Sequence, residues 1–546
     1  MTSAEHEPRP ITEVAASAGL LPGEVLPWGR GIAKVAAAPV LQRTAGGKQG
    51  RLVCVTAVTP TRFGEGKTTT AIGLTDGLGA IGRRPVLCLR EPSLGPVFGR
   101  KGGGAGGGRA QLVPMEQVNL HFTGDIHAVA AATNLLASML DASLIHANRL
   151  AIDPDTITWR RAIDMNDRVL RRIELGLDPG DGAFPRASGF DIAAASEVMA
   201  LLSVSTDLTD LRRRLGAITV AHDAGGRPVT AEHLQAAGAM SVLLRDALEP
   251  NLVQTREGWP ALVHAGPFAN IAHGNNSVIA DRVALALGDY VVTESGFGAD
   301  LGFEKFCDIV CPEAGLEPSA AVIVAGVATL RHHGGGGPGP EALEAGAANL
   351  RRHIAIVRGF GLPCVVAVNR RAGDEPADLA QVCALALQAG AGAAVVCDAF
   401  ERGSAGAIEL AQAVVGACEE PSDFRPLYAG DLPLAEKIRR IATQIHGAAG
   451  IALEPAAAAA LERLEAAGLG ALPVCIAKTP LSFTADPAVL GAPEGFTLPV
   501  RDLRAYSGAG WVVALCGDVM LMPGLPDGPV AETIDIDGAG RTTGLF

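Results

Sequence analysis

The chain has 546 residues, 48% hydrophobic and 19% charged, with a formal net charge of −13. That length predicts two to four globular domains, and the acidic balance argues against loose binding to nucleic acid or anionic membrane, both of which need basic surface. The opening MTSAEHEPRPITEVA lacks the basic-then-apolar pattern of a signal peptide, and the ten cysteines sit mostly in apolar runs (Cys54, Cys88, Cys364, Cys516), as buried free thiols do in a reducing cytoplasm.

After a short helical lead-in and a loop ending at Gly46 and Gly47, residues 52–58 (LVCVTAV) predict a buried strand. A glycine-bearing turn follows, then a helix with Ala71, Leu74, Leu78 and Ile81 on one apolar face. Strand, turn and helix predict a phosphate cradle made of Gly64, Glu65, Gly66, Lys67, Thr68 and Thr69. Glycines let backbone N–H groups approach phosphate oxygens; the helix start adds about half a positive charge, and Lys67 a whole one. Thr68 or Thr69 can offer a hydroxyl to a phosphate-bound Mg²⁺. The generic pattern GxxxxGK[ST] is met except that Thr61 holds the first glycine position. The blander alternative is a glycine turn with its lysine in solvent.

Residues 85–89 (PVLCL) predict the next strand, giving the β–loop–α–β opening of a parallel sheet. Arg90 and Glu91 then fall at the carboxyl edge, where ligands bind in open α/β sheets. Lys67, Arg90, Arg100 and Lys101 could form a local basic pocket; the alternative for Arg90 is an ion pair with Glu91. Residues 102–108 contain six glycines in seven positions and predict neither helix nor strand, but a linker or a mobile loop closing over phosphates. His121, Asp125 and His127 could bind a metal, serve a substrate or proton-transfer site, or form a structural His–carboxylate unit. Cys307 and Cys311 lack the second pair a metal site would need.

Beyond residue 151, charged helices are expected over 159–175 and 208–215, then a hairpin turning at Gly225 and Gly226 and a helix capped by Thr230. Parallel-sheet texture returns near Pro260, with His273 in a loop, Gly296, Gly298 and Asp300 after the strand YVVTES, a surface loop over 332–340, and Asn369 ending the strand LPCVVAVN. The longest uncharged span, 379–397, reads as helix, turn and strand rather than a membrane crossing. Helices near 432–445 and Ala456 precede a C-terminal stretch of strands and glycine turns. The expected fold class is α/β, P-loop-NTPase-like, with a mostly parallel sheet flanked by helices and additional α/β domains. The approximate division is 1–150 (nucleotide-binding, first part), 151–258 (inserted), 259–365 (return to the nucleotide-binding sheet) and 366–546 (C-terminal, acceptor site).

Taken together, GEGKTTTAIGL, REPSLGPVFGRKGGGAGGGRAQLVPMEQVNLHFTGDIHAV, ITWRRAIDMNDRVLR, SGFDIAAASEVMA, GPFANIAHGNNS, YVVTESGFGADLGFEKF and MLMPGLP closely resemble the formate–tetrahydrofolate ligase family over nearly the whole length. The resemblance implies that ATP phosphorylates formate to an enzyme-bound formyl phosphate, whose formyl carbon is attacked by N10 of tetrahydrofolate. It also implies Mg²⁺ with the ATP, a monovalent cation (K⁺ or NH₄⁺), and a homotetramer. In that reaction Lys67 is expected to lie on the phosphates, Thr69, like its family counterpart, to hydrogen-bond the transferred phosphoryl or the metal shell, and Arg90 to clamp formyl phosphate, with Thr68 the candidate hydroxyl for ATP-bound Mg²⁺. Formate is a poor electrophile, so a mixed anhydride is sensible chemistry, and catalysis becomes mainly positioning and cation placement. His121, Asp125, His127, His273 and Asn369 remain possible substrate-site residues.

The acceptor half departs from the family pattern. Arg371 and Ala372 stand where a Phe-Pro pair is usual, and Phe400, Arg402 and Ala405 replace Trp, Lys and Glu. Two aromatics normally sandwich the pterin, so Phe400 is the expected remaining ring, with Arg371 able to stack its guanidinium on the other face. These changes leave open a ligase acting on an altered folate or another amine, or a nucleotide-binding homologue without synthesis.

Overall fold

The strand of residues 52–58 is the middle of a large sheet in the structure, a computed structural model that describes residues 8–99, 104–178 and 185–545. Arg100 and Lys101, expected to join the basic pocket, and the first two glycines of the 102–108 run lie outside the described residues. Among the described residues the central sheet has twelve strands: β1 (Val25–Pro27), β2 (Ala33–Val35), β3 (Arg51–Ala57), β4 (Pro85–Leu89), β5 (Gly106–Gly107), β6 (Ala110–Val113), β7 (Asn251–Thr255), β8 (Pro260–Val263), β9 (Tyr290–Glu294), β10 (Pro318–Ala325), β11 (Cys364–Asn369) and β12 (Ala393–Cys397). The order is β1-β2-β7-β8-β4-β9-β3-β10-β11-β12, with β6 against β7 and β5 against β6.

From β8 to β12 every neighbouring pair is parallel. The other edge, β1-β2-β7-β8, is antiparallel. Parallel neighbours need crossovers that cover the sheet faces, and strands buried on both faces read as unbroken apolar runs, as LVCVTA does in β3. The carboxyl ends of β4, β9, β3, β10 and β11 therefore share one edge of the sheet.

Helix α1 (Lys67–Ala80) carries the chain from β3 to β4. The expected single apolar face is too narrow a description, because every residue from Thr70 to Leu78 is buried. A turn at Gly403–Gly406 and helix Ile408–Ala417, which itself lies on the sheet, pack against the rest of α1. The longest apolar helix is α2 (Asp125–Ile145) rather than the 379–397 span. It meets the length and composition of a bilayer-crossing helix, but one face packs into the fold through Val129, Ala132, Leu136 and Leu140. The 379–397 span itself is helix Pro376–Gln388, a turn and β12, as expected.

Three expectations fail locally. Gly106 and Gly107 do form a short strand, paired antiparallel with Gln111 and Ala110, with Gly106 at φ +77°, a conformation that glycine adopts without a Cβ penalty. The charged helix over 159–175 is absent: Arg161–Ile163 and Ile173–Leu175 are strands joined by a 3₁₀ turn. There the arginines are drawn to separated partners, Arg161 to Asp141 and Arg171 to the Met522 carbonyl, which a single helical face could not reach together. The hairpin at Gly225 and Gly226 is present, but Thr230 caps only a turn, its hydroxyl accepting from the His233 amide, and the helix begins at Ala237.

Residues between β6 and β7 build helices and small two-stranded sheets on the antiparallel edge, while the C-terminal part adds a three-stranded sheet (Val474–Ala477, Trp511–Leu515, Asp502–Tyr506). The central sheet takes in β7 and β11-β12, so it runs through the approximate boundaries at 258 and 366.

Candidate phosphate and one-carbon site

The glycine turn is held at both ends. Thr59, just past β3, has its amide hydrogen-bonded to Asn349 Oδ1 at 3.2 Å, its carbonyl 3.0 Å from His333 Nε2, and its hydroxyl 2.9 Å from Asn349 Nδ2 and 3.0 Å from His353 Nε2. Asn349 and His353 are one helical turn apart on α3 (Pro340–Gly359), so both face the loop. Burial holds the His353 imidazole down at about 4, hence neutral.

At the other end Gly66 takes φ +79° immediately before Lys67 opens α1, and Asn369 Nδ2, from the end of β11, donates to the Glu65 carbonyl at 3.0 Å. Glu65 points inward: Oε1 accepts from the Thr61 amide at 2.8 Å and the Thr61 hydroxyl at 3.1 Å. Its carboxylate ties the loop together. Lys67, Thr68 and Thr69 are half-buried at the helix start, and among the described residues the Lys67 ammonium has no hydrogen-bond or ion-pair partner.

Arg90 follows β4 on the same edge. Its Nη1 donates to the Pro267 carbonyl at 3.3 Å and its Nη2 lies 3.9 Å from Glu294 Oε1. Burial pulls the guanidinium pKa down and the Glu294 carboxylate opposes that shift. Glu294 ends β9, the strand between β4 and β3, and its other oxygen accepts from the Thr68 hydroxyl at 2.7 Å. One carboxylate therefore joins the first turn of α1, which opens at Lys67, to Arg90. Sequence reasoning missed Glu294; the signal was its place at the carboxyl end of YVVTE, two residues before Gly296. The alternative pairing of Arg90 with Glu91 is not seen: Glu91 turns into the interior, where burial and Asp125 raise its pKa well above the usual carboxylate range.

The other candidates separate. Asp125 is buried against Lys34 Nζ, at 2.9 and 3.0 Å, and accepts from Asn251 Nδ2 at 2.8 Å. His121 and His127 instead stack on each other at the surface, ring centres 4.9 Å apart, with Nδ1 of the first 2.7 Å from Nε2 of the second. The three do not converge, and among the described residues no group of three His, Cys, Asp or Glu side chains could hold a metal. His273 is fully buried, 3.1 Å from the Asn276 carbonyl and edge-on to Trp511; burial brings its pKa down to about 4. It is a neutral core histidine. Asn369 is a brace of the loop.

On the acceptor side, Phe400 follows β12 and is 46% exposed. Its carbonyl accepts from the Arg109 amide at 2.8 Å, and the glycine loop lies on it so closely that a Cβ at Gly108 would stand 2.2 Å from the Phe400 oxygen. Arg371, after β11, donates through Nη2 to the carbonyls of Phe63, at 3.1 Å, and Gly64. Its guanidinium is engaged with the glycine turn, so stacking on a pterin requires it to let go of those carbonyls.

The sequence profile of the family "Formate--tetrahydrofolate ligase" matches residues 1–546. A protein of that name from Paracoccus denitrificans is 55% identical over 548 aligned residues, covering 99% of this chain and 98% of the relative. Those from Roseiflexus sp. and Desulforamulus reducens are 52% and 51% identical, covering 98% and 99% of this chain and 98% of each relative. With the Gly64–Gly66 turn and Arg90 at one sheet edge, and with relatives matched end to end, the chain belongs to the formate–tetrahydrofolate ligase family.

Proposed function

We propose that this chain joins formate to tetrahydrofolate with ATP as the activating substrate, through formyl phosphate held at the edge formed by β3, β9 and β4. The observation that carries the reading is the Thr68–Glu294–Arg90 connection, which ties the start of α1, where Lys67 has no partner among the described residues, to a guanidinium at the end of a neighbouring strand. The ATP phosphates lie on the N–H groups of residues 64–69, in a P-loop-like arrangement, with Lys67 on the transferring phosphoryl. A formate oxygen attacks the terminal phosphorus, the bond to the ADP oxygen breaks, and Arg90 forks the resulting acyl phosphate. N10 of tetrahydrofolate then attacks the formyl carbon, phosphate leaves, and the amine proton is lost.

Thr68 and Glu294 offer the hard oxygens that Mg²⁺ prefers, so the cleft fits the metal that accompanies ATP. When bound, Mg²⁺ spreads the charge developing on the phosphoryl oxygens. Phe400, exposed beside the glycine loop, is the platform for the pterin, and Arg371 is the nearby cation. Thr69, without a side-chain partner among the described residues, bonds the transferred phosphoryl. The family resemblance supports a monovalent cation (K⁺ or NH₄⁺), a homotetramer and a cytoplasmic setting. Identity of 51–55% along the whole chain weighs against an altered acceptor or a silent homologue. Omitting formate, ATP and tetrahydrofolate in turn tests the reading: 10-formyltetrahydrofolate requires all three, and ADP release without formate dependence would sink it.

A further inference from the structure

The sheet has a second polar edge that the proposed reaction leaves unused. Strands β3, β4 and β9 begin at Arg51, Pro85 and Tyr290, and a cavity of about 360 Å³ opens where they start. Four cations, Lys48, Arg51, Arg83 and Arg84, line it against two carboxylates, Asp289 and Glu419. In a chain with a net charge of −13, such a local excess of positive charge needs a reason. The strands between this edge and the cleft are five to seven residues long, about 17–23 Å, so a small anion held here does not touch Lys67 or Arg90.

Arg84 is already engaged, with Nη2 2.7 Å from one Asp289 oxygen and Nε 3.1 Å from the other. Lys48, Arg51 and Arg83 have no side-chain hydrogen-bond or ion-pair partner among the described residues. Part of their charge answers three helix ends: α1 stops at Ala80, helix Val278–Leu287 at Leu287 and helix Ile408–Ala417 at Ala417, each with the negative end of its dipole near the cavity. Helix ends do not account for Tyr290. Its side chain is 5% exposed and lines the same cavity, and its hydroxyl has no hydrogen-bond partner among the described residues. Burial and Cys418 hold the phenol above its usual range, while Arg83 and Arg51 oppose them, so the O–H stays protonated in the field of both guanidiniums. A buried O–H almost always has an acceptor, and beside two unpaired guanidiniums that acceptor is an oxyanion.

We propose that this cavity is a second oxyanion site, taking a small phosphate-class ligand through Arg51, Arg83 and Lys48, with Tyr290 donating its O–H. A phosphoryl group presents three oxygens and about two charges, enough to meet two guanidiniums, an ammonium and a phenol together. A lone carboxylate, with two oxygens and one charge, leaves part of that set unanswered. The site is independent of the nucleotide reading, because it lies at the opposite ends of the strands.

Calorimetric titration of the full-length protein with pyrophosphate, in phosphate-free buffer at low salt, tests it. Arg51→Gln combined with Arg83→Gln should bind one equivalent fewer than wild type; both side chains are exposed, so the fold does not depend on them. Lys67→Ala should keep that equivalent, which separates it from any pyrophosphate on the phosphate loop. Tyr290→Phe should keep the stoichiometry and weaken the cavity site by about tenfold, the loss of one hydrogen bond to a charged group. Equal stoichiometry in wild type and the double variant would overturn the proposal and leave the arginines as counter-ions of the helix ends. Affinity of Tyr290→Phe within about twofold of wild type would also overturn it, because a diffuse cationic surface does not need the phenol. Citrate bound at this site as tightly as pyrophosphate would overturn the phosphate class.

Discussion

The side-chain amide of Asn369 sits 3.0 Å from the Glu65 carbonyl, and a Cβ added at Gly66 would meet that amide at 2.3 Å. A strand end more than three hundred residues away thus presses on the one backbone position that must take φ +79° for α1 to open at Lys67. Gly66→Ala should therefore weaken nucleotide binding sharply, through about 1–2 kcal/mol of left-handed strain and the collision with Asn369. Asn369→Ala in the Gly66→Ala background should recover part of the loss by removing the collision alone, a coupling that a double-mutant cycle of calorimetric affinities reads. Gly66→Ala with wild-type affinity would show that the nucleotide does not use this cradle.

Lys67 and Phe400 are assigned to opposite halves of the reaction and should fail differently. Lys67→Ala should lower turnover by orders of magnitude, because its charge acts on the transferring phosphoryl. Phe400→Ala should mainly raise the tetrahydrofolate KM, by roughly tenfold for the loss of one stacking ring. Steady-state kinetics with each substrate varied separates the two, and effects of both variants confined to KM would contradict the assignment.

Arg90 can be tested without removing its charge. Arg90→Lys keeps a cation but loses the planar fork, and the Pro267 carbonyl loses its donor. Formate-dependent ADP formation should fall well below wild type in this variant. Wild-type rates would mean that a point charge suffices and the fork is not used.

Lys34 and Asp125 form an ion pair with both side chains only 4% exposed. Lys34→Met leaves a buried carboxylate without its counter-ion, which should cost about 3–5 kcal/mol in urea unfolding. Asp125 then contributes to stability through Lys34.

Glu197 makes the fold pH-sensitive at its alkaline side. Burial raises its carboxyl from 4.5 to about 7, partly offset by the Gly508 amide donating to Oε1 at 2.7 Å. Folding therefore favours the protonated side chain. That contribution is whole below about 4.5, declines as the pH climbs, and is gone above about 7. Glu197→Gln keeps an acceptor for Gly508 without the titration, so it should be more stable than wild type at pH 8, by a difference on the order of 3 kcal/mol. Urea midpoints for both proteins at pH 5 and pH 8 check this: the gap should be small at pH 5 and wide at pH 8.

The sequence was most informative where local chemistry and chain order coincide. LVCVTA could only be a strand buried on both faces, and GEGKTTT at its carboxyl end needed glycine conformations and a helix start that contiguous residues supply. Arg90 could be placed because strand, crossover helix and strand leave little topological freedom. The long motifs also carried the family. Where several partners compete for a side chain, spacing was a poor guide. Asp125 lies between His121 and His127 in the chain but turns to Lys34, because a buried carboxylate needs a fixed cation more than it needs an exposed imidazole. The arginines of 161–171 likewise looked helical until their separate partners drew the backbone out.

What the amino-acid order determined alone is the cradle and the strand that follows it, since each is built from neighbours whose backbone preferences agree. Tertiary structure alone decided which residues complete the cleft. Glu294, Asn369, Asn349 and His353 come from β9, β11 and α3, hundreds of residues from the loop they meet. Their contacts exist only because parallel packing aligns the strand ends on one edge and burial forces each polar group there to find a partner.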